Sequence, residues 1–256
     1  MSKSTLLQPM GLFKLYLRTL RIFFSNLHTI LFLGAVLLLP GFIIYLFTFA
    51  FLGIMVEVGN LEFISIPLLI LGVISLYLAI SYFYAGVILV VSLNTTGQKA
   101  SILQILRRMG GKTGYQILGT AVLQNLLILA GFLLLIIPGL YLFIRYTFAL
   151  PIVVFERTPY DNALWRSGKL VDGSWWRIFG GFCISIIGFY IIVGLMSFTV
   201  FSLLQLFAFG DGLNFIFILI VCYSAMPLLF IYPVLLYYDM RIRKEAINIE
   251  TIRESI

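Results

Sequence analysis

The sequence predicts an all-α integral membrane protein that crosses the bilayer six times. Hydrophobic residues make up 62% of the 256 residues and charged residues only 11%, whereas soluble domains carry about 25% charged residues. Six apolar segments are each long enough to cross roughly 30 Å of hydrocarbon as a helix. Basic residues occur in alternate connections between these segments, as they do when positively charged loops stay in the cytoplasm.

The predicted spans are apolar on every face, which favours helices over a membrane β-barrel, whose strands alternate polar and apolar residues. In chain order they cover residues 29–52, 65–93, 115–137, 139–155, 178–207 and 214–238. The fourth span is the shortest, and Pro151 lies near its end. No stretch is long and polar enough to fold as a soluble domain, so residues 1–256 are expected to form a single membrane domain.

The distribution of basic residues predicts the topology. All but one of the 17 Lys and Arg residues lie in the N-terminal stretch, the second and fourth connections and the C-terminal tail. The first connection carries only Glu57 and Glu62 as charged residues, and the fifth carries only Asp211. This pattern predicts that both termini lie in the cytoplasm.

Anionic lipid headgroups are expected to balance the net charge of +7. Their attraction contributes about 1 kcal/mol for each basic residue near the membrane surface. Nucleic acid is not expected as a partner, because the basic residues flank hydrophobic spans instead of gathering in a polar domain. The predicted headgroup contacts are Lys14, Arg18, Arg21, Arg107, Arg108, Lys112, Arg166, Lys169, Arg177, Arg241, Arg243 and Lys244.

Three cytoplasmic segments are predicted to be amphipathic elbow helices that lie in the headgroup plane. They cover residues 10–24, 99–110 and 159–171, and each leads into an odd-numbered span. The chain therefore divides into three units, each an elbow helix followed by a two-helix hairpin. A shift of 61 residues aligns Arg108 with Lys169 and Gly119 with Gly180, which an internal repeat explains, although apolar segments also align by chance.

Arg145 is the one basic residue inside an apolar run, six residues beyond the predicted external turn at Pro138–Gly139. An Arg near the membrane centre costs at least about 2.5–3.5 kcal/mol. One interpretation is a substrate or lipid site in an outward-facing cavity. The other is a structural cation that reaches the outer surface or pairs with an acidic residue of the external connections, which carry Glu57, Glu62 and Asp211. The candidate site also includes Tyr141, Tyr146, Gln124 and Asn125.

Small residues form a stripe along the fifth predicted span, at Gly180, Gly181, Ser185 and Gly188. Small residues allow the backbones of membrane helices to approach closely. The stripe therefore predicts close packing, either within the bundle or against a second copy of the chain or another membrane protein.

Motifs of known catalytic sites are absent from the sequence. It contains no HExxH, Walker A or G-x-S-x-G motif, and His28 is its only histidine. Cys183 and Cys222 stand alone within predicted spans, where they are expected to be packing residues. We therefore expect no enzymatic activity, no cofactor and no metal site.

Four segments resemble a bacterial and archaeal family of six-span proteins, similar to the membrane domain attached to some glycerophosphoryl diester phosphodiesterases. They are Ile137–Pro151, Ala163–Ser167, Trp175–Phe179 and Leu235–Glu245. The resemblance implies a six-span fold with interfacial elbows in the inner membrane of a prokaryotic cell. It does not imply phosphodiester hydrolysis, because these 256 residues contain no soluble phosphodiesterase domain.

The function predicted first is that of a non-enzymatic scaffold or accessory subunit, which associates with lipid or with another membrane protein. A transporter or lipid-handling protein with an outward-facing cavity containing Arg145 is the alternative. A membrane-embedded enzyme ranks third, because it requires a cluster of titratable groups that the sequence does not show.

Overall fold

A computed structural model of the chain describes residues 9–58, 65–95, 97–98, 101–206 and 211–245. These residues form eleven α-helices and no β-strand, which confirms the predicted all-α class. Glu62 lies outside the described residues, as do the first two residues of the second predicted elbow and the side chains of Glu57 and Asp211.

Six stretches of helix in the described ranges are long and apolar enough to cross a membrane, so the chain is a multi-pass membrane protein. These spans are α2, α3, α5, α6 with α7, α9, and α10 with α11. Helices α1, α4 and α8 precede the first, third and fifth spans. The bounds are α1 Leu12–Ser25, α2 Leu27–Val58, α3 Ser65–Thr95, α4 Ile102–Arg108, α5 Gly111–Leu134, α6 Ile136–Tyr146, α7 Ala149–Glu156, α8 Tyr160–Val171, α9 Trp175–Leu206, α10 Asp211–Ala225 and α11 Pro227–Glu245.

The fourth span is broken into α6 and α7 at Thr147–Phe148. Pro151 explains the position of the break, because in a continuous helix its ring would clash with the carbonyl of Thr147, four residues earlier. It lies instead in the first turn of α7, where its missing N–H is not needed. The Ser167 hydroxyl of α8 binds the backbone groups that the break leaves open. It donates to the carbonyl of Arg145 at 2.8 Å and accepts from the amide of Phe148 at 3.2 Å.

Packing density differs between the two ends of the bundle. The basic end holds α1, α4, α8, the C-terminal half of α3 and the C-terminal end of α11; the apolar end holds the C-terminal half of α2, the N-terminal half of α3 and the junction of α5 with α6. Within α3, Phe83 and Val87 are buried near the basic end, whereas Ile70 and Leu71 are 52% and 54% exposed near the apolar end. The buried core therefore lies at the basic end. Toward the apolar end, the apolar side chains of the hairpins become more exposed.

The three hairpins pair consecutive helices, α2 with α3, α5 with α6, and α9 with α10. Glycine permits the closest approach in the second hairpin. A Cβ atom on Gly131 would lie 3.0 Å from the Cα atom of Gly139. The element order is thus elbow and hairpin, three times over, while the equivalence of the three units by superposition stays a prediction.

Candidate functional site

Asp239, near the end of α11, links three parts of the chain at the basic end. Its side chain is only 2% exposed and accepts a hydrogen bond from the amide of Met10 at 2.7 Å. It also forms ion pairs with Arg177 of α9 at 2.8 Å and with Arg243 at 2.9 Å. Both guanidinium groups donate in addition to the carbonyl oxygen of Met10, at 2.6 and 3.0 Å. Arg177 and Arg243 therefore hold α9, α11 and the N-terminal segment together.

A second ion-pair cluster surrounds Glu156, the last residue of α7. Its carboxylate pairs with Arg166 of α8 and accepts a hydrogen bond from the Tyr237 hydroxyl at 2.9 Å. Arg241 lies 3.6 Å from the same carboxylate. Glu245 completes the cluster, at 2.9 Å from both Arg166 and Arg241. Burial lowers the pKa of Arg166, but the carboxylates of Glu156 and Glu245 outweigh it and raise the pKa overall.

The end of α11 also contacts the end of α8 through lysine. Lys244 donates to the carbonyl oxygens of Lys169, at 3.2 Å, and of Asp172. The Lys169 ammonium in turn lies 3.4 Å from the ring centroid of Trp165, a cation–π contact. Six of the twelve residues predicted to bind headgroups therefore contact a carboxylate, a carbonyl oxygen or an aromatic ring of the described structure. They are Arg166, Lys169, Arg177, Arg241, Arg243 and Lys244.

The basic residues of α1 are less engaged. Lys14 and Arg21 are exposed, and Arg18 is half-buried with its guanidinium 3.9 Å from the sulfur of Met10. Burial, with a smaller contribution from Arg21, lowers the pKa of Arg18. Lys112, at the start of α5, is exposed. Headgroup binding by these residues stays a prediction.

Arg145 has a different partner from those predicted. Its guanidinium donates to the Tyr141 hydroxyl at 2.7 Å and pairs with Asp172 at 3.6 Å. The break before α7 and the return of α8 along α6 bring Asp172 to it, and neither feature is visible in the local sequence. The side chains of Glu57, Glu62 and Asp211 lie outside the described part of the chain, so pairing of Arg145 with them stays a prediction.

The five residues of the predicted polar site do not form one cluster. Tyr141 contacts Arg145, and Tyr146 is half-buried beside it in the chain. Asn125 instead joins α5 to α3, where its amide donates to the Tyr77 hydroxyl at 2.5 Å. Gln124 is half-buried on α5. Asn125 thus belongs to helix packing, and Arg145 lines none of the cavities described below.

The small-residue stripe of α9 packs against helices of the same chain. A Cβ atom on Gly181 would lie 2.9 Å from the Tyr232 hydroxyl of α11, and one on Gly188 would overlap the ring of Tyr16 in α1. Ser185 between them is buried, whereas Gly180 has looser surroundings. Packing within the bundle accounts for the stripe, and association between copies through it stays a prediction.

An arginine cavity of about 320 Å³ lies at the basic end between α3, α4, α5 and α7. Its cations are Arg107 and Arg108 at the end of α4 and Arg157 just after α7. Arg157 has a φ of 50°, a left-handed conformation that costs a residue with a side chain of order 1–3 kcal/mol. The remaining wall residues are Leu89, Ser92, Met109, Gly110, Thr113, Ile117, Val154 and Phe155. In the sequence, Arg157 lies in the fourth connection, whereas Arg107 and Arg108 lie in the second, so no local pattern associates them.

An apolar cavity of about 680 Å³ lies between the first and third hairpins. Four helices contribute to its wall, α2, α3, α9 and α10, together with Met226. Leu39, Phe42, Leu219 and Ile220 are each more than 40% exposed, so the cavity opens sideways, toward the lipid. The other wall residues are Ala35, Leu38, Leu76, Ile80, Phe189, Cys222 and Tyr223.

Comparison with known families supports the resemblance and limits what it says. Residues 117–212 match the family model described as the membrane domain of glycerophosphoryl diester phosphodiesterase, which confirms the predicted resemblance. The match covers most of α5, all of α6 to α9 and the start of α10. It concerns a membrane domain and includes no catalytic domain. No curated protein and no solved structure matches the chain.

Proposed function

We propose that this multi-pass membrane protein is a non-enzymatic accessory protein that acts by holding lipid. The observation that carries the proposal is the apolar cavity between the first and third hairpins, with a volume of about 680 Å³. Ligand cavities in proteins measure about 300–1,000 Å³. Together with the predicted topology, the proposal puts the protein in a prokaryotic inner membrane, with the basic end toward the cytoplasm.

The wall of the cavity suits a lipid chain. Its side chains are hydrocarbon except for the thioether of Met226, the thiol of Cys222 and the hydroxyl of Tyr223. A soluble polar substrate would lose its hydrogen bonds to water there and find few replacements. An acyl chain has no hydrogen bonds to lose on entering the cavity. The exposed residues at the opening allow it to enter from the bilayer.

The carboxylates at the basic end support a non-enzymatic role. Glu156 and Asp239 are each bound by two arginines, and Glu245 is bound by two as well. A general base must be free to take a proton from its substrate. Carboxylates held in this way stabilise helix contacts, which suits a rigid platform for lipid or for another membrane protein.

Lipid retention tests the proposal through a pair of variants on α2. Ala35 lines the cavity, while Val36 beside it is 38% exposed and lies outside the wall. We expect Ala35→Trp to fill the cavity and to abolish the lipid that co-purifies with the wild type in mild detergent, measured by native mass spectrometry. Val36→Trp is the matched control and should retain lipid. Equal retention by both variants would contradict the proposal.

Isolation from native membranes tests the accessory role. A pull-down with the wild-type chain should recover bound lipid or a membrane-protein partner, and recovery of neither counts against the role. Transport that depends on Arg145 is the alternative function, although Arg145 lines neither the apolar cavity nor the arginine cavity. It predicts that Arg145→Gln abolishes transport in vesicles while lipid retention remains, whereas the accessory role predicts no transport by either protein.

A further inference from the structure

We propose that the arginine cavity binds a phosphate group, presented either by a soluble phosphate or by the headgroup of a phosphomonoester lipid. The cavity brings Arg107, Arg108 and Arg157 around one space of about 320 Å³. It is separate from the apolar cavity, so this proposal does not depend on lipid retention there.

In the described part of the chain, the cations of this cavity have no counter-charge. Among the described residues, the side chains of Arg107, Arg108 and Arg157 form no ion pair or hydrogen bond, and the cavity wall contains no carboxylate. Like charges around one small space repel one another. An anion bound among them would convert this repulsion into attraction.

Arg108 provides the most specific indication of a ligand. Its side chain is half-buried, and its Nη1 atom is fully buried without a hydrogen-bond partner in the described structure. A buried guanidinium nitrogen that has lost water and gained no acceptor is unfavourable. A rotation of the side chain that turns this nitrogen into the cavity would let an oxyanion there accept its hydrogen bond.

The backbone at Arg157 places a guanidinium where glycine is usual. Helices commonly end in a left-handed residue, and glycine is favoured there because it has no Cβ atom. Arg157 occupies this position after α7, with a φ of 50°. Glycine would satisfy the turn with less strain, so the side chain is the feature that distinguishes this residue.

The N-terminus of α5 adds to the positive character of the cavity. Gly110 precedes the helix and Thr113 lies in its first turn, and both line the cavity. No side chain caps this end, since Gly110 forms no capping hydrogen bond. The first N–H groups of a helix lack partners within it and carry the positive end of its dipole. They supplement the arginines as donors to an anion.

Phosphate fits these donors better than a carboxylate does. Guanidinium groups bind phosphate through paired hydrogen bonds, and a phosphomonoester carries close to two negative charges against three arginines. A wider cavity of about 420 Å³ on the other side of Arg107 and Arg108 includes Leu103, which is 59% exposed. A lipid chain attached to the phosphate has an apolar surface available there.

Binding is measured on the full chain in detergent with two probes. Inorganic phosphate is titrated by calorimetry, and nanodiscs containing phosphatidic acid are compared with nanodiscs of phosphatidylglycerol, which is anionic but has no phosphomonoester. We expect the wild type to bind at least one of the two phosphomonoester probes, and Arg157→Gly to weaken that binding about tenfold or more, because one charged hydrogen-bond donor is lost. Binding of phosphate alone identifies a soluble ligand, and binding of phosphatidic acid alone identifies a lipid.

Arg157→Gly also separates ligand binding from folding. Because glycine accepts the left-handed backbone, its midpoint of thermal denaturation without ligand should equal or exceed that of the wild type. Arg253→Gln removes an arginine of the C-terminal tail that is not among the predicted headgroup contacts. It is the control for net charge and should bind as the wild type does. The proposal is overturned if the wild type binds neither probe, if it binds phosphatidylglycerol equally well, or if Arg157→Gly binds no more weakly than Arg253→Gln.

Discussion

The ion-pair clusters and the arginine cavity are two regions of the same basic end, and they use arginine in opposite ways. Around Asp239, Arg177 and Arg243 meet a carboxylate that is 2% exposed. In the arginine cavity, Arg107 and Arg108 meet no carboxylate among the described residues. Both sets follow the rule that basic residues flank spans on one side of a membrane. The difference shows that this rule does not distinguish cations that stabilise the structure from cations that are available to a ligand.

The largest expected effect comes from removing Asp239. Asp239→Ala leaves Arg177, Arg243 and the amide of Met10 without their acceptor, so we expect a loss of about 3 kcal/mol in the free energy of unfolding. Unfolding in mixed micelles measures it. Arg107→Gln is the matched control, since it removes a charge that has no partner in the described structure, and should change stability by less than about 0.5 kcal/mol. Equal losses in the two variants would remove the distinction between the regions.

Glu156→Gln should have the next largest effect. The amide keeps an acceptor for Tyr237 but loses the charge that pairs with Arg166 and Arg241, so we expect a loss of about 2 kcal/mol. Glu245→Gln is the comparison, because this carboxylate is more exposed, at 26% against 16%. Its loss should stay below about 1 kcal/mol. The reverse order would show that Glu245 is the centre of the cluster.

Arg145→Gln should have the smallest effect of the three. The ion pair is long, at 3.6 Å, and Asp172 is 61% exposed, so we expect a loss of about 0.5–1 kcal/mol. Thermal denaturation and the yield of folded protein measure it. Asp172→Asn should produce a similar loss if the pair is its cause. A loss as large as that of Asp239→Ala would place Arg145 among the main structural cations.

Local sequence predicted much of the fold but little of the contact pattern. The spans and elbows follow from runs of apolar residues and from helical spacing, which act over neighbouring residues. The break at Thr147–Phe148 was missed because the hydroxyl that stabilises it belongs to Ser167, in a different helix. The third elbow also begins one residue later than predicted, since Pro159, the first residue of the predicted range, precedes the helix instead of opening it.

The predicted polar site shows the same division. Tyr141 and Arg145 are four residues apart on one helix and do meet, as helical spacing requires. Gln124 and Asn125 were joined to them only because all lie at membrane depth. Depth does not specify which faces of two helices touch, and Asn125 turns toward Tyr77 of α3.

Composition and the order of charges are sufficient to predict a six-span membrane protein with three elbows, because lipid exposure and helix length constrain each segment separately. Partners are set by packing. The amide of Met10 and the carboxylate of Asp239 are separated by 229 residues in the chain and by 2.7 Å in space. Arg157 lies near the arginines of α4 because α7, which it follows, packs against α3 and α5. An ion pair needs two groups within a few ångströms, whatever their distance in the chain. The way the helices fold back on one another therefore decides which arginines are paired and which line a cavity.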